Sequence, residues 1–393
     1  MAPFRVLVLN QVSEKGLQRL PAGQYVTGKD IAEPDAVLVR SADMHAIEIP
    51  STVKAIARAG AGTNNIPVKA MSERGVPVFN APGGNANAVK ELVIAGMLIA
   101  ARNLAPAHRF VEQLDAASKD LDKVVEDGKK EFAGFELAGQ TLGIIGLGKV
   151  GCLVADAAIK LGMNVLGYDP DITVDAAWSL PAQVKKATSV NEVLKNSNFV
   201  TLHVPLVAAT RDLVNDRNLT LVKPGTVLLN FSRDGVANDA AVLAALDAKQ
   251  LGWYVCDFPT PGILKHPGVV ALPHLGASTR EAEENCAIMV ADQLREYLEH
   301  GNVTNTVNFP NVAMARESRY RLAIANSNVP NMLGQISTTM AHAGLNIHNM
   351  VNKSRGEMAY TLVDVDSPVS DSVMAGLRAI HGVLAVRYLP QDE

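Results

Sequence analysis

Short apolar runs bounded by polar residues, glycines and prolines recur from the start of the chain: "RVLVLN", "AVLVR", "VKAIARAG" and "VPVFN". Segments of helical spacing lie between them, and this alternation predicts a parallel sheet flanked by helices. An Ala-rich stretch follows, "NAVKELVIAGMLIAARNLAPAHRFV", in which apolar residues return every three or four positions until Pro106, so one long helix is expected. The alternation restarts at "QTLGIIGLG" and runs through "NVLGYD", "FVTLHVP", "TVLLNFS" and "WYVCDF", which predicts a second β/α unit. A further helical stretch, "TREAEENCAIMVADQLREYLEHG", ends at Gly301.

Beyond it the pattern reads strand, helix, two strands, helix, strand, a βαββαβ order. The fold class expected is α/β, with two doubly wound parallel-sheet (Rossmann-like) domains plus a C-terminal ferredoxin-like βαββαβ domain. Strands and a helix of the first domain flank the second, so the first is discontinuous. Its segments are residues 1–92 and 275–305, around a cofactor domain at 93–274; residues 306–317 form a linker, and 318–393 the appended domain. The polar stretch "KDLDKVVEDGKKEF" has no assigned place.

Composition narrows the function classes. The chain of 393 residues is 48% hydrophobic and 19% charged with a formal net charge of −4, which offers no field to draw nucleic acid or an acidic membrane. Cys152, Cys256 and Cys286 are too few and scattered for a disulfide framework or a zinc site, and read as small buried thiols in a reducing compartment. No apolar run reaches the roughly 18 residues of a spanning helix, and "MAPFRVLVLNQVSEKG" lacks a signal-peptide layout; a cytoplasmic location is expected.

The most specific local signal is "TLGIIGLGKVGCLVADAAIKLGMNVLGYDP". A strand runs into Gly146-Leu-Gly148-Lys-Val-Gly151, a helix follows, and a second strand ends at Asp169. Gly146 allows the tight turn, Gly148 the approach of a pyrophosphate, and Gly151 the packing of helix on strand. Asp169 can accept from a ribose hydroxyl, and with Pro170 and Asp171 beside it should repel a 2′-phosphate, so NAD is the expected cofactor.

Two other strand ends carry Arg233 ("TVLLNFSRDG") and His274 ("VVALPHLGAS"). Ligands of open α/β sheets bind at the carboxyl ends of strands, which suits both residues to hydride-transfer chemistry. A surface Arg in an ion pair and a helix-capping His are the plainer alternatives. His203 reads as a core histidine in an apolar strand, and His266 as a solvated loop residue.

In order and spacing, "RAGAGTNN", "GIIGLGKVG", "GYDP", "LHVPL", "NFSRDG" and "PHLGAST" resemble the D-isomer-specific 2-hydroxyacid dehydrogenases over nearly the whole chain. The branch of that family with a C-terminal ACT domain is the most similar. The resemblance implies NAD-dependent oxidation of 3-phospho-D-glycerate to 3-phosphohydroxypyruvate, the first step of L-serine biosynthesis, by a homodimer or homotetramer without a metal. It assigns Arg233 to the substrate carboxylate and C2 oxygen, and His274 to the proton of the C2 hydroxyl. Lys149, Val150, Val204, Ser232, Asp257, Gly276 and Ala277 join Gly146, Gly148, Gly151 and Asp169 around the cofactor. For the substrate it implies Arg40, Ser41, Arg58, Gly60, Asn80 and Asn85, with Lys90 as an extra cation. Each of these loops also reads as a turn with a surface Arg. Asn326, Asn328 and Asn346 match positions that grip a regulatory amino acid, L-serine in this branch, or are ordinary turn asparagines.

The chain departs from the family at one point. Relatives carry a Glu that pairs with the catalytic His on a longer loop, whereas "DFPTPGILKHPGVVALPH" holds no Glu between Asp257 and His274. His274 is therefore expected to stand without a carboxylate or to lean on a substitute such as Asp257, with Glu281 and Glu283 read as serving a helix dipole. Two other functions remain open: a glyoxylate or hydroxypyruvate reductase, and an NAD-sensing protein of the corepressor type.

Overall fold

The computed structural model describes residues 2–391. Residues 86–279 form one compact unit, and the segments on either side, up to Asn85 and from Arg280 onward, form another. In the latter, strands β1 (Phe4–Leu9), β2 (Tyr25–Gly28), β3 (Ala36–Val39), β4 (Ala55–Arg58) and β5 (Val78–Phe79) make a parallel sheet in the order β2-β1-β3-β4-β5. The central strand β3 is buried along its whole length, which is why "AVLV" reads as an unbroken apolar run. Leu9 lies level with Val39, and Val39 with Arg58, so the turns after β1, β3 and β4 leave the sheet side by side. The helix Arg280–His300 covers this sheet with Cys286, Val290, Leu294 and Tyr297, a 3.6-residue stripe.

Residues 86–279 build a seven-stranded parallel sheet from β6 (Thr141–Ile145), β7 (Asn164–Tyr168), β8 (Lys185–Lys186), β9 (Phe199–Leu202), β10 (Thr226–Asn230), β11 (Leu251–Cys256) and β12 (Val269–Ala271). The order β12-β11-β10-β9-β6-β7-β8 reverses direction between β6 and β9, a doubly wound topology whose switch point lies at those two strands. Tyr168, Ile145, Leu202, Asn230, Cys256 and Ala271 stand in one row across the sheet. Whatever follows each of these residues therefore emerges along a single edge.

The long helix expected from the Ala-rich stretch is two helices, Ala86–Ala101 and Leu104–Glu112. The break is at Asn103, whose φ of 49° is left-handed and whose Oδ1 accepts from Trp253 Nε1 at 3.2 Å. Pro106 falls in the first turn of the second helix, where its missing N–H costs nothing. The unassigned polar stretch forms a helix, Leu121–Gly128, and a 3₁₀ turn, Lys129–Phe132, which returns to the preceding helix through Phe132 against Phe110 at 5.4 Å.

The C-terminal segment has strands β13 (Tyr320–Ser327), β14 (Ile347–Arg355), β15 (Met358–Val365) and β16 (Val383–Pro390) in the antiparallel order β14-β15-β13-β16. Its helices, Met332–His342 and Asp371–Arg378, complete the βαββαβ arrangement. Leu322 and Ile324 face those helices, while the alternate residues Ala323 and Ala325 join Tyr360, Leu362 and Leu389 in the core of Tyr297, Leu298 and Phe309. The sheet is thus buried on both faces. Arg321, fully buried, donates from Nε and Nη2 to Asp364 (2.6 and 2.9 Å). Its remaining N–H groups reach the carbonyls of His300, Met314 and Ala315, so all five donors are satisfied. Arg387 caps the carbonyls of Tyr297 and Leu298, both at 2.8 Å, near the end of the helix Arg280–His300.

Candidate active site

The turn after β6 has the shape its glycines require. Gly146 has φ 95°, and a Cβ there would lie 2.5 Å from the carbonyl oxygen of His203, with Val204 also in contact. A Cβ on Gly151 would lie 2.1 Å from the oxygen of Gly146, so only glycine lets the helix Lys149–Lys160 start this close to the strand. At Gly148 a Cβ would meet nothing within 4 Å: the space above the turn is open, as a pyrophosphate needs. Asp169, one residue beyond β7, accepts from the backbone N–H of Leu147 at 2.8 Å and of Asp171 at 3.0 Å. The turn is thereby tied to the residue suited to a ribose. Lys149 is exposed at the helix start and Val150 is half-buried.

Along the same edge, Asn230 ends β10 almost fully buried. Its Oδ1 accepts from the N–H and hydroxyl of Ser232, at 3.2 and 2.9 Å, and its Nδ2 donates to the carbonyl of Arg233 at 3.0 Å. One amide thus shapes the turn that displays Arg233, whose exposed guanidinium donates to the carbonyl of Ser232 at 2.7 Å. Sequence reasoning misses Asn230, although an Asn inside an otherwise apolar strand is a signal that could find it.

Asp257 follows β11 and is 1% exposed. Its Oδ1 accepts from the N–H of Leu275 and its Oδ2 from that of Gly276, both at 2.7 Å, while its carbonyl accepts from the N–H of His274 at 3.1 Å. The carboxylate therefore serves the backbone after His274 and forms no hydrogen bond with the imidazole. Gly276 is buried and a Cβ there would crowd Asp257 Oδ2 at 3.1 Å; Ala277 is exposed. His274 is itself exposed and has φ 56°. Among the described residues its ring nitrogens have no hydrogen-bond partner, and its ring meets that of Phe258 at 4.8 Å, tilted by 52°.

Of the other two histidines, His203 is the buried, satisfied residue expected, though it lies outside the strand, and His266 is not the solvated loop residue expected. β9 ends at Leu202, so His203 stands just past the strand, where its Nε2 pairs with Thr201 Oγ1 at 2.9 Å and burial pushes its pKa down to about 3. An imidazole held neutral in this way is unsuited to carry a proton at neutral pH. His266 is a turn peg rather than a solvated side chain: Nδ1 accepts from the N–H of Gly268 and Nε2 pairs with Asp247 at 3.3 Å. All three cysteines are buried and free, with the Cys256 thiol pushed up to about 11 by burial.

In the other unit, Arg40 follows β3 and donates to Glu283 at 2.5 Å. Glu283 is thus engaged by an arginine, and its role as a mere dipole partner is incomplete. Arg58 donates from Nε to the carbonyl of Arg40 at 3.0 Å, and a Cβ on Gly60 would collide with Arg58 Nη1. Glycine at 60 leaves room for that guanidinium. Asn80 donates to the carbonyl of Ala61 at 2.6 Å, Asn85 is half-buried and Ser41 exposed. Arg40, Arg58, Gly60 and Asn80 therefore share one end of this sheet.

Among the C-terminal asparagines, Asn326 is 1% exposed and gives its Nδ2 to the carbonyl of Ser327, while its Oδ1 has no partner among the described residues. Asn328 donates to the carbonyl of Gly356 at 3.0 Å, and Asn346 is exposed. Among the described residues, no helix is long and apolar enough to cross a membrane.

Comparison with known proteins gives a coherent set of relatives. A family model described as "D-isomer specific 2-hydroxyacid dehydrogenase, NAD binding domain" matches residues 94–276. The D-3-phosphoglycerate dehydrogenase of Escherichia coli (strain K12) is 32% identical over 345 residues, 84% of this chain and 79% of that relative. That of Methanocaldococcus jannaschii is 32% identical over 372 residues, 91% of this chain and 68% of the relative. Among solved structures, NAD⁺-bound 3-phosphoglycerate dehydrogenase from Entamoeba histolytica matches with a TM-score of 0.60 at 26% identity, over 78% of this chain and 99% of that one.

Proposed function

The chain belongs to the D-isomer-specific 2-hydroxyacid dehydrogenase family and is an NAD-dependent dehydrogenase, and from that premise we propose that it oxidises 3-phospho-D-glycerate to 3-phosphohydroxypyruvate, the first step of serine synthesis. The observation that carries this reading is identity to D-3-phosphoglycerate dehydrogenases over most of the chain. NAD, when bound, supplies the acceptor for the hydride that leaves C2. Gly148 and the N-terminus of the helix Lys149–Lys160 would take its pyrophosphate, and Asp169 a ribose hydroxyl. Arg233, always charged and forked, holds the substrate carboxylate. His274 takes the proton of the C2 hydroxyl during oxidation and returns it during reduction. Arg40 and Arg58, from neighbouring strand ends, are assigned to the phosphate, for which guanidinium groups supply charge and donors.

The test is NADH oxidation with 3-phosphohydroxypyruvate, hydroxypyruvate and glyoxylate. A kcat/KM at least tenfold higher for the phosphorylated acid supports the proposal, and Arg58→Ala should raise KM for that substrate while leaving the value for hydroxypyruvate little changed. Preference for glyoxylate or hydroxypyruvate would make the chain a reductase of those acids, and no turnover with any would point to a different 2-keto acid as its substrate. The same reading extends to a cytoplasmic homo-oligomer whose ACT-like C-terminal module binds L-serine through Asn328 and Asn346. Calorimetry with millimolar L-serine should show heat of binding that Asn346→Ala removes.

A further inference from the structure

His274 is placed by an unusual set of contacts. Its backbone is left-handed, a conformation uncommon for residues with a Cβ and stabilised here by its surroundings. Asp257 supplies that support, with its carbonyl on the N–H of His274 and its two carboxylate oxygens on the next two N–H groups. This network fixes where the side chain starts and leaves the orientation of the imidazole undetermined. An exposed histidine with no hydrogen bond to its ring is free to turn about two side-chain bonds. The aromatic ring that meets the imidazole belongs to the neighbour of Asp257 in sequence, Phe258, half-buried and with its centroid 4.8 Å away.

We propose that Phe258 is the positioning residue of His274, setting the plane of the imidazole through ring contact where a hydrogen-bonding side chain is lacking. The inference rests on His274 being the group that moves the proton. Two consecutive residues then act on one histidine, with Asp257 fixing its backbone and Phe258 its ring. A tilted aromatic pair of this kind biases a side-chain population by roughly two- to tenfold, which sets the size of the effect to look for.

Phe258→Leu should lower kcat for keto-acid reduction by about three- to tenfold, leave the Kd for NADH unchanged, and raise the solvent deuterium isotope effect on kcat as proton transfer becomes more limiting. Phe258→Tyr, which keeps the ring, should restore both quantities to within about twofold. The comparison uses whichever 2-keto acid the wild type reduces fastest, so a poor rate with 3-phosphohydroxypyruvate alone overturns the substrate assignment and leaves this test intact. An independent readout is the imidazole C2–H resonance of His274, assigned with His274→Ala: it should move in Phe258→Leu and stay in place in Phe258→Tyr. An unchanged kcat in Phe258→Leu, a loss that Tyr does not rescue, or an unmoved resonance would each overturn the proposal.

Discussion

Asp257 carries a carboxylate into a site only 1% exposed, where each oxygen needs a donor. Sequence reasoning sends Asp257 to the cofactor or to the place of a missing partner of His274, whereas its oxygens go to the N–H groups of Leu275 and Gly276. His274 itself is legible, because a histidine just past a strand and before a small-residue turn is a local pattern. Its setting depends on residues brought together only by the pairing of β11 with β12. Asp257→Asn keeps one acceptor and puts an amide NH₂ against a backbone N–H, so stability should drop by about 1–3 kcal/mol and kcat by at least tenfold, measurable by urea unfolding and NADH oxidation. His203 makes a second prediction. Its folded pKa of about 3 lies below the ordinary value of about 6.5, so the unfolded chain binds a proton that the native state refuses. The contribution is complete above pH 6.5 and is lost as pH falls toward 3, by at most about 1.4 kcal/mol per pH unit. Thermal unfolding at pH 7 and 4.5 should therefore show a smaller acid loss for His203→Gln than for the wild type.

Elements are readable where one periodicity dominates and fail where two features compete. The strands around the glycine turn follow the pattern of the sequence, whereas the Ala-rich helix is interrupted at Asn103, three residues before the proline expected to end it. Apolar spacing continues across that break, and only the left-handed backbone of Asn103 interrupts it. The glycine turn offers a sharp comparison. Gly148→Ala places a methyl in open space at an ordinary φ of −80°, so Tm should change by no more than about a degree while the Kd for NAD rises at least tenfold. Gly151→Ala puts that methyl 2.1 Å from a carbonyl oxygen, and both Tm and NAD affinity should fall. Differential scanning fluorimetry with and without NAD separates the two outcomes.

At the scale of the whole molecule, the βαββαβ order of the C-terminal segment is legible, and its place in the core is not. Alternation at Ala323, Ala325, Tyr360 and Leu362 says that a second face of the sheet is covered and is silent about what covers it. The cover is the end of the helix Arg280–His300 with the chain that follows, and Arg321 joins the two by bonding Asp364 on one side and the carbonyls of His300, Met314 and Ala315 on the other. Replacing Asp364 by Asn leaves a buried guanidinium without its counter-charge and should cost about 3–5 kcal/mol in urea unfolding. Deleting the chain from residue 317 onward should expose Tyr297, Leu298 and Phe309 and yield an aggregating product rather than a smaller active enzyme. This bears on ancestry. In sequence the segment looks like a detachable cassette, but a lineage could discard it or exchange it for a foreign one only by repainting the helix and strand surfaces it now shares. Substitutions on the two sides of the shared core should therefore be coupled, a change of volume at Ala323 or Leu362 narrowing what Tyr297 and Phe309 tolerate.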